Sequence, residues 1–299
     1  MSDRVLVTGG SGFVGKRLVE YLRLRGTNVI APSRDILDIT LNVFPEVDVN
    51  QVIHLAARTF VPDSWTDPSS FYQVNAQGTM NVADYCRRHG ARLVHISAYC
   101  YGTPSTLPIS ETAPLRPNNA YAFSKYAGEA ACLFYAEHFG IPVTILRPFN
   151  VYGPGQPSHF LIPRIVDQSL DPAIAQIVVE DAEPRRDYVH VDDLVAAISA
   201  VQDAPKSTGI YNVGSGRSFS VAEIADLIRQ MAGVDKPVIN RGNRRPNEIL
   251  EIVCDATQIR RAFGWCPSID LVDGLADLIN KRRSNYQGRS SRLRSPSTC

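Results

Sequence analysis

The chain has 299 residues, of which 44% are hydrophobic and 20% are charged, and its formal net charge at pH 7 is +1. This is the composition of an ordinary folded protein, and the length allows one large or two modest domains. No apolar run approaches the roughly 20 residues of a membrane span. The first residues lack the layout of a secretory signal, so we expect a cytoplasmic protein without a membrane partner.

The six cysteines are scattered along the chain, and none belongs to a Cys-x-x-Cys pair. This spacing favours free thiols over a disulfide framework. Cys86 and His89 have the spacing of metal ligands. Because no second pair of ligands accompanies them, no metal site is predicted.

The first predicted element is an apolar strand at 4–8, followed by a turn with three glycines and then a helix. Gly9 permits the tight turn, Gly12 lets the backbone approach a pyrophosphate, and Gly15 lets the helix pack close to the strand. The N-terminus of the helix favours an anion. In this strand–turn–helix context the glycines predict a dinucleotide-binding loop.

The second predicted strand, at 28–31, ends beside the residues that select the dinucleotide. An acidic residue at this point binds the ribose 2′-hydroxyl of NAD. Ser33 stands there instead, and Arg34 can pair with a 2′-phosphate. NADP is therefore favoured over NAD, while Asp35 leaves NAD as the alternative.

Further strands are predicted at 50–55, 92–97 and 142–147, separated by helices near 69–88 and 119–138. Strands that alternate with helices form βαβ units. We therefore predict the α/β class, with a doubly wound parallel sheet of the Rossmann type.

The candidate catalytic residues are Ser97, Tyr121 and Lys125. Tyr121 and Lys125 are four positions apart on a predicted helix, so they share one face. A nearby ammonium group stabilises a phenolate, which predicts a lowered pKa for Tyr121 and a role in proton transfer. Ser97 ends the strand at 92–97, at the edge of the sheet where such folds bind ligands.

After residue 150 the alternation loosens, and helices are expected at 191–202, 221–232 and 271–282. Ser220 and Glu223 have the spacing of a capping box. This half predicts a second, smaller domain for the substrate.

The predicted domain boundaries follow from this change of pattern. A dinucleotide-binding Rossmann domain spans 1–151 and is completed by about 188–215, and a smaller α/β substrate-binding domain spans 152–187 and 216–283. Residues 281–299 hold six Lys and Arg residues and no Asp or Glu. Because such a segment has little to bury, 284–299 is predicted to be a disordered basic tail, and no nucleic-acid partner is predicted.

The glycine loop and the catalytic candidates belong to a longer series of motifs. In chain order these are Thr8-Gly9-Gly10-x-Gly12-Phe13-x-Gly15, His54-Leu55-Ala56-Ala57, Asn75-x-x-Gly78-Thr79, Ser97 with Tyr101-Gly102, Tyr121-x-x-x-Lys125, Arg147-Pro148-Phe149-Asn150-Val151-Tyr152-Gly153-Pro154-Gly155, Arg186-Asp187-Tyr188-Val189-His190-Val191-Asp192-Asp193 and Arg245-Pro246. On these motifs, over about residues 4–280, the chain resembles the extended short-chain dehydrogenase/reductases of the nucleotide-sugar epimerase/dehydratase group.

The resemblance implies a role for each matching residue. Ser97, Tyr121 and Lys125 would be catalytic, and Lys125 would also contact the nicotinamide ribose. The residues implied to bind the dinucleotide are Gly9, Gly12, Phe13, Val14, Gly15, Ser33, Arg34, Asp38, Leu55, Ala56, Ala57, Asn75, Tyr121, Lys125 and Phe149. The nucleotide-diphosphate sugar would contact Ser97, Asn150, Arg186 and Arg245. In relatives the helices near 69–88 and 119–138 form the dimer face, so a homodimer is expected.

The resemblance also narrows the reaction to hydride transfer at C4 of the sugar. The dehydratases of the group carry an Asp-Glu pair just after the catalytic Ser or Thr, where this chain has Ala98 and Tyr99, so dehydration is not expected. A 4-keto-6-deoxyhexose reductase, resembling the GDP-4-keto-6-deoxymannose reductases, is favoured by Ser33 and Arg34.

Three alternatives to the reductase remain open. The first is an NAD-dependent 4-epimerase of the UDP-hexose type, although Phe160 stands where many epimerases have a pyrophosphate-binding Asn. The second is a bifunctional epimerase-reductase, for which Cys100 and His159 are each one position off the pattern. The third is a non-catalytic dinucleotide-sensing protein, which would typically lack the Tyr or the Lys.

Overall fold

The structure is a computed structural model that describes residues 4–204 and 208–292. The strands are, in chain order, β1 (Arg4–Thr8), β2 (Asn28–Ile30), β3 (Gln51–His54), β4 (Arg92–Ile96), β5 (Val143–Pro148), β6 (Asn150–Tyr152), β7 (Ile177–Val179), β8 (Arg185–His190), β9 (Gly209–Val213), β10 (Ser218–Ser220) and β11 (Val238–Asn240). The helices are α1 (Phe13–Leu24), α2 (Asp63–Thr66), α3 (Pro68–Phe71), α4 (Gly78–His89), α5 (Ala120–Phe139), α6 (Leu161–Leu170), α7 (Val191–Gln202), α8 (Val221–Ala232), α9 (Thr257–Phe263) and α10 (Leu271–Arg292).

Six strands form one parallel sheet in the order β2-β1-β3-β4-β5-β9. The predicted doubly wound Rossmann sheet is confirmed. From β1 the chain passes to β2 on one side and then crosses to β3 on the other. In such sheets the carboxyl ends of the strands around this reversal form the ligand crevice.

The two faces of the sheet are covered by different helices. Val5 and Val7 of β1 pack in one buried cluster with Leu18 and Leu22 of α1. Leu6, which lies between them, belongs instead to the cluster that contains α4 and α5 residues. The central strands β3, β4 and β5 are buried along their whole length, as expected for parallel strands covered on both faces.

The elements outside this sheet form a second part of the molecule. Strands β10, β8 and β6 form a three-stranded sheet, and β11 pairs with β7. Helices α6, α8 and α10 pack together around Ile165, Ile224 and Leu275. The last strand of the large sheet, β9, lies within the segment 188–215 that is predicted to complete the Rossmann domain, and the domain boundaries themselves stay a prediction.

Several local predictions can be compared with the described residues. The Ser220 hydroxyl accepts the Glu223 N–H at 3.1 Å, and the Glu223 carboxylate accepts the Ser220 N–H at 2.7 Å, so the capping box is confirmed. The helix near 69–88 is α3, a π-helical turn and α4 in succession. Helix α10 runs to Arg292, so the backbone is helical over the first part of the predicted tail, which corrects the prediction there. Residues 293–299 lie outside the described residues.

None of the helices within 4–204 and 208–292 combines the length and the apolar character that crossing a membrane requires.

Candidate active site

A pocket of about 890 Å³ lies at the carboxyl edge of the parallel sheet. One wall consists of residues that follow the sheet strands: the glycine loop after β1, Leu55 after β3, Ser97 after β4 and Phe149 after β5. The opposite wall comes from α6 and from the segments that follow β7 and β11. The pocket therefore lies between the large sheet and the second part of the molecule.

The glycine loop is shaped by close contacts that leave no room for side chains. Gly9 has a φ of 73°, and a Cβ there would lie 2.6 Å from the Ala56 nitrogen. A Cβ at Gly15 would lie 2.1 Å from the Gly9 carbonyl oxygen. Helix α1 begins after Gly12 with no side-chain cap. Its first backbone N–H groups are therefore available to bind an anion, and the glycine loop with the N-terminus of α1 fits a pyrophosphate.

Ser97 presents a hydroxyl to this pocket. Its side chain is only 4% exposed, and its oxygen has no hydrogen-bond partner among the described residues. The Ser97 N–H donates to the Leu146 carbonyl at 2.8 Å, which fixes the residue at the end of β4. Because buried hydroxyls are normally paired, this one fits a partner on a bound ligand.

Helix α5 brings Lys125 and Tyr121 to the same wall. The Asn119 side chain caps the helix by accepting the Ala122 N–H at 2.8 Å. One turn later, the Lys125 ammonium donates to the Ile96 carbonyl at 2.6 Å. Burial lowers the pKa of Lys125 to about 8.

The predicted lowering of the pKa of Tyr121 is wrong for this structure. Burial raises the pKa of Tyr121 well above its ordinary value, and the neighbouring Cys100 and Tyr99 raise it further. The physical reason is that the Lys125 ammonium is directed at the Ile96 carbonyl, and does not offset the burial of the phenol. The phenol keeps its proton and is in the form that can donate to an oxygen.

A buried ion pair lies behind Lys125 on α5. The Glu129 carboxylate accepts from the Arg147 Nε at 3.1 Å and from a second nitrogen of the same guanidinium. The remaining Arg147 nitrogen donates to the Tyr101 hydroxyl at 2.8 Å. Both charges are almost fully buried. The carboxylate one turn from Lys125 is therefore neutralised by Arg147.

The two residues directly after Ser97 are Ala98 and Tyr99, so an aromatic residue and no carboxylate follows the serine. Tyr99 stacks on Phe149 with ring centroids 5.2 Å apart. Its hydroxyl donates to the Asn150 side-chain oxygen at 3.1 Å, and the Asn150 amide donates to the Asp187 carbonyl at 3.1 Å. Tyr99, Phe149 and Asn150 all line the pocket.

The far end of the pocket carries the two arginines that the sequence predicts for a diphosphate. Arg186 and Arg245 both line it. Arg186 lies on β8 and pairs with the carboxylate of Glu248. Arg245 is exposed. The two arginines thus line the same pocket, one from β8 and the other from the segment after β11.

Fourteen of the predicted site residues line this pocket, and five do not. Those that line it are Gly9, Gly12, Phe13, Val14, Gly15, Leu55, Ala57, Ser97, Tyr121, Lys125, Phe149, Asn150, Arg186 and Arg245. Those that do not are Ser33, Arg34, Asp38, Ala56 and Asn75.

Three of the residues outside the pocket have clear local roles. The Asn75 side-chain oxygen accepts the Arg58 N–H at 2.8 Å, and its amide donates to the Ser124 hydroxyl at 2.9 Å, so Asn75 ties the loop after β3 to α5. The Asp38 carboxylate accepts from the Thr40 N–H at 2.9 Å. It also lies 3.5 Å from the Arg34 guanidinium.

Tyr188 and Gln156 are pocket residues to which sequence reasoning assigned no role. The Tyr188 hydroxyl and the Gln156 side-chain oxygen are buried, line the pocket and have no hydrogen-bond partner in the described part of the chain. Tyr188 was visible as a member of the motif that begins at Arg186. Nothing in the sequence pattern signals Gln156, because its position depends on the loop after β6.

Comparison with known proteins identifies the family. The sequence model described as "NAD dependent epimerase/dehydratase family" matches residues 5–214. The chain belongs to this family. The predicted resemblance to extended short-chain dehydrogenase/reductases is therefore confirmed, and with it the prediction of an NAD(P)-dependent enzyme.

Individual members of the family are similar over nearly the whole chain. A dTDP-glucose 4,6-dehydratase of Streptomyces griseus is 32% identical over 96% of this chain and 97% of its own length. A GDP-6-deoxy-D-mannose reductase of Pseudomonas aeruginosa is 31% identical over 96% of this chain and 99% of its own. A solved structure, RMD from Pseudomonas aeruginosa complexed with NADPH, superposes with a TM-score of 0.85 at 30% identity, covering 95% of this chain and 99% of that one.

Proposed function

We propose that this member of the epimerase/dehydratase family reduces the C4 keto group of a nucleotide-diphosphate sugar. The proposed substrate is a 4-keto-6-deoxyhexose, and the proposed dinucleotide is NADP(H). The observation that carries the proposal is the wall around Ser97. It combines the Ser97 hydroxyl, which has no partner among the described residues, with the protonated phenol of Tyr121 and the Lys125 ammonium. The two residues directly after Ser97, Ala98 and Tyr99, carry no carboxylate.

Each group on this wall has a part in reduction. A dinucleotide held at the glycine loop would supply the hydride for C4. Tyr121 donates its proton to the C4 oxygen, so that the keto group becomes a hydroxyl, and the phenolate that remains is reprotonated from solvent. Ser97 donates a hydrogen bond to the same oxygen. Lys125 would hold the nicotinamide ribose by hydrogen bonds from its ammonium group.

The residues after Ser97 disfavour dehydration. Removal of water across C5 and C6 requires a base for the C5 proton and an acid for the C6 hydroxyl. Ala98 has no acid/base group, and burial raises the pKa of Tyr99. The reaction named for the Streptomyces griseus relative is therefore not proposed for this chain.

The lining of the pocket supports a deoxygenated sugar with a diphosphate. The pocket lining includes the apolar side chains of Phe60, Val61, Pro62 and Trp65, which suit a methyl group better than a hydroxymethyl group. At the far end the guanidinium groups of Arg186 and Arg245 suit a diphosphate. The name of the Pseudomonas aeruginosa reductase agrees with both features.

A direct assay tests the proposal. The purified protein is mixed with NADPH and, separately, with the GDP-, dTDP- and UDP-linked 4-keto-6-deoxyhexoses, and the loss of NADPH absorbance is followed together with the sugar product. We expect one NADPH consumed for each sugar reduced with at least one of the three. Tyr121→Phe should lose roughly 100-fold or more of this rate, because the proton donor is removed.

A 4-epimerase would give a different result in these measurements. An epimerase would interconvert UDP-glucose and UDP-galactose with no net use of added dinucleotide, and it would retain NAD through purification. That result, with no reduction of any keto sugar, would overturn the proposal. A protein that binds dinucleotide but turns over none of these sugars, with Tyr121→Phe indistinguishable from the parent, would support a sensing role instead.

A further inference from the structure

One carboxylate lies at the end of the pocket where a diphosphate is proposed to bind. Glu248 lines the pocket together with Arg186 and Arg245. Its side chain is 13% exposed, and its carboxylate pairs with the guanidinium of Arg186, whose side chain is 14% exposed. A cation that suits an anionic ligand is thus held by an anion of the chain itself.

The guanidinium of Arg186 has both terminal nitrogens engaged. One donates to the Arg185 carbonyl at 2.9 Å, and the other donates to the Glu248 carboxylate. A phosphate that takes two parallel hydrogen bonds from this group needs at least one of these nitrogens. The Arg185 carbonyl is fixed in β8, whereas the Glu248 carboxylate is at the end of a side chain. The carboxylate is therefore the acceptor that a phosphate can replace.

The segment 241–248, which ends at this carboxylate, is held in place by other contacts. The Arg244 Nε donates to the Asp181 carboxylate at 2.8 Å. The Asn118 side-chain amide, just before α5, donates to the Asn247 carbonyl at 2.9 Å. Because neither contact involves the last side chain of the segment, the backbone can keep its place when that side chain changes its partner.

Arg245 and Glu248 lie on one turn of this segment. The Glu248 N–H donates to the Arg245 carbonyl at 3.2 Å. A cation and an anion of the same short turn thus line the pocket, which Arg186 reaches from β8. A diphosphate in contact with both arginines would lie close to the carboxylate, and like charges in a partly buried site repel each other.

We propose that Glu248 competes with the substrate diphosphate for Arg186 and thereby sets the affinity for the nucleotide sugar. This inference rests on the diphosphate contact of the proposed function. Carboxylate and phosphate oxygens accept from the same guanidinium donors. Because the ion pair with Glu248 has to be broken before the phosphate takes its place, the two arginines bind the diphosphate less tightly than they would without the carboxylate.

The competition has a thermodynamic consequence that a purely structural ion pair lacks. Glu248→Gln removes the charge and keeps the size of the side chain. Without ligand the variant should be less stable than the parent, because Arg186 loses its ionic partner in a partly buried site. With the diphosphate bound, Arg186 has an anionic partner in both proteins, so the difference in stability should disappear. By linkage, the affinity of the variant then rises by the corresponding factor.

Titration calorimetry with the full chain measures this rise without catalysis. GDP, UDP and dTDP are titrated into the parent, Glu248→Gln and the matched control Glu251→Gln. Glu251 lies 3.5 Å from Arg185, the neighbour of Arg186 on β8, and that pair is outside the pocket lining. For the diphosphate that the parent binds most tightly, we expect about tenfold tighter binding by Glu248→Gln. Glu251→Gln should bind it within about twofold of the parent.

A double variant separates competition for Arg186 from simple repulsion of the phosphates. In the Arg186→Ala background, Glu248→Gln should raise the affinity at most about twofold, because the carboxylate has no guanidinium to hold. Thermal unfolding with and without saturating diphosphate measures the change in stability.

Three results would overturn the inference while the sugar-reduction assay still tests the reaction itself. These are equal or weaker binding by Glu248→Gln, a full tenfold gain in the Arg186→Ala background, and a loss of stability that persists at saturating diphosphate. A parent that binds none of the three diphosphates would overturn it together with the proposed diphosphate contact.

Discussion

Lys125 is an ammonium group with almost no access to water. Its side chain is 3% exposed, its hydrogen bond goes to a backbone carbonyl, and burial lowers its pKa to about 8. Glu129, one turn away, raises this pKa by less than burial lowers it, and its carboxylate is held by Arg147. The charge of Lys125 is therefore lost at a much lower pH than that of an exposed lysine.

A pH profile follows from this lowered pKa. The charged form of Lys125 is present below about pH 8 and is lost as the pH rises through that value. Because the mechanism needs the ammonium, kcat/KM of the sugar reduction should fall on the alkaline side with an apparent pKa near about 8. In Lys125→Arg the guanidinium stays charged. The decrease in kcat/KM should therefore move to higher pH, even if the variant is slower at every pH. A wild-type profile that is flat to roughly pH 10 would contradict the assignment.

The pair of Arg147 and Glu129 supports a second prediction, on stability. Arg147→Met leaves the Glu129 carboxylate buried without its partner, and should lower the free energy of unfolding by about 3–5 kcal/mol. The double variant Arg147→Met with Glu129→Met removes both charges and should recover most of this loss. Urea unfolding of the two variants and the parent measures the difference. Equal stability of the single and double variants would show that the charges are not coupled.

At the scale of residues, sequence reasoning found the catalytic candidates but not the electrostatics around them. The spacing of Tyr121 and Lys125 correctly places them on one helix face beside Ser97. The direction of the Lys125 ammonium depends on the carbonyl at the end of β4, which no local pattern reveals. The same limit applies to Arg34, whose partner Asp38 lies across a turn.

Helix α5 has an apolar face that remains exposed among the residues that the structure describes. Tyr126, Leu133 and Phe134 are 37%, 41% and 53% exposed. Their positions recur at helical spacing on one side of α5. Met80 on α4, which packs beside α5, is also exposed. These two helices are those expected to form a dimer face, so we propose that a second copy of the chain covers them.

A charge on this face should dissociate the dimer. Leu133→Asp would bury an unpaired carboxylate between the two copies, which costs more than the contact it replaces. Sedimentation or light scattering should show a dimer for the parent and a shift to monomer for the variant at the same concentration. Leu24→Asp, at an exposed position on α1, is the matched control and should remain dimeric. A monomeric parent would contradict the prediction.

The elements that sequence reasoning predicted are those with a long, repeated pattern. Strands β1, β3, β4 and β5 and helices α5, α7 and α8 lie within one or two residues of their predicted bounds. The three-residue strands β6, β7, β10 and β11 have no predicted bounds, because such short strands carry no periodic signal. Strand β2 is equally short, and its prediction depends on its place after the first helix. The strands without predicted bounds form through pairing with distant partners, such as β10 with β8.

The molecule as a whole places its ligand pocket between two separately packed regions. The sheet and its helices form two buried clusters, and α6, α8 and α10 form another. A bound nucleotide sugar would contact residues from both regions, since Ser97 and Arg186 line the same pocket. Ligand binding should therefore stabilise the whole chain rather than one region.

Thermal unfolding can identify the nucleotide on this basis. At a concentration about 100 times its dissociation constant, a ligand stabilises the folded state by about 2.7 kcal/mol. For a chain of this size that corresponds to a rise in Tm of several degrees. GDP, UDP and dTDP are compared at one concentration, and the diphosphate of the true substrate should raise the Tm most. Arg186→Ala should remove this rise, and a variant that retains the full rise would contradict the proposed diphosphate contact.

The return of the chain to the large sheet at β9 limits how related enzymes can be recombined. Strand β9 pairs with β5, although β6, β7 and β8 lie between them in the sequence and belong to other sheets. Helices α7 and α9 pack in the buried cluster that also contains β1 and α1. The sugar-recognition region is thus not one continuous stretch of sequence. A hybrid protein that takes this region from a relative with another nucleotide preference needs at least three junctions: after β5, before α7 and after β9. A fusion with a single junction would leave one strand of the large sheet without its native neighbour.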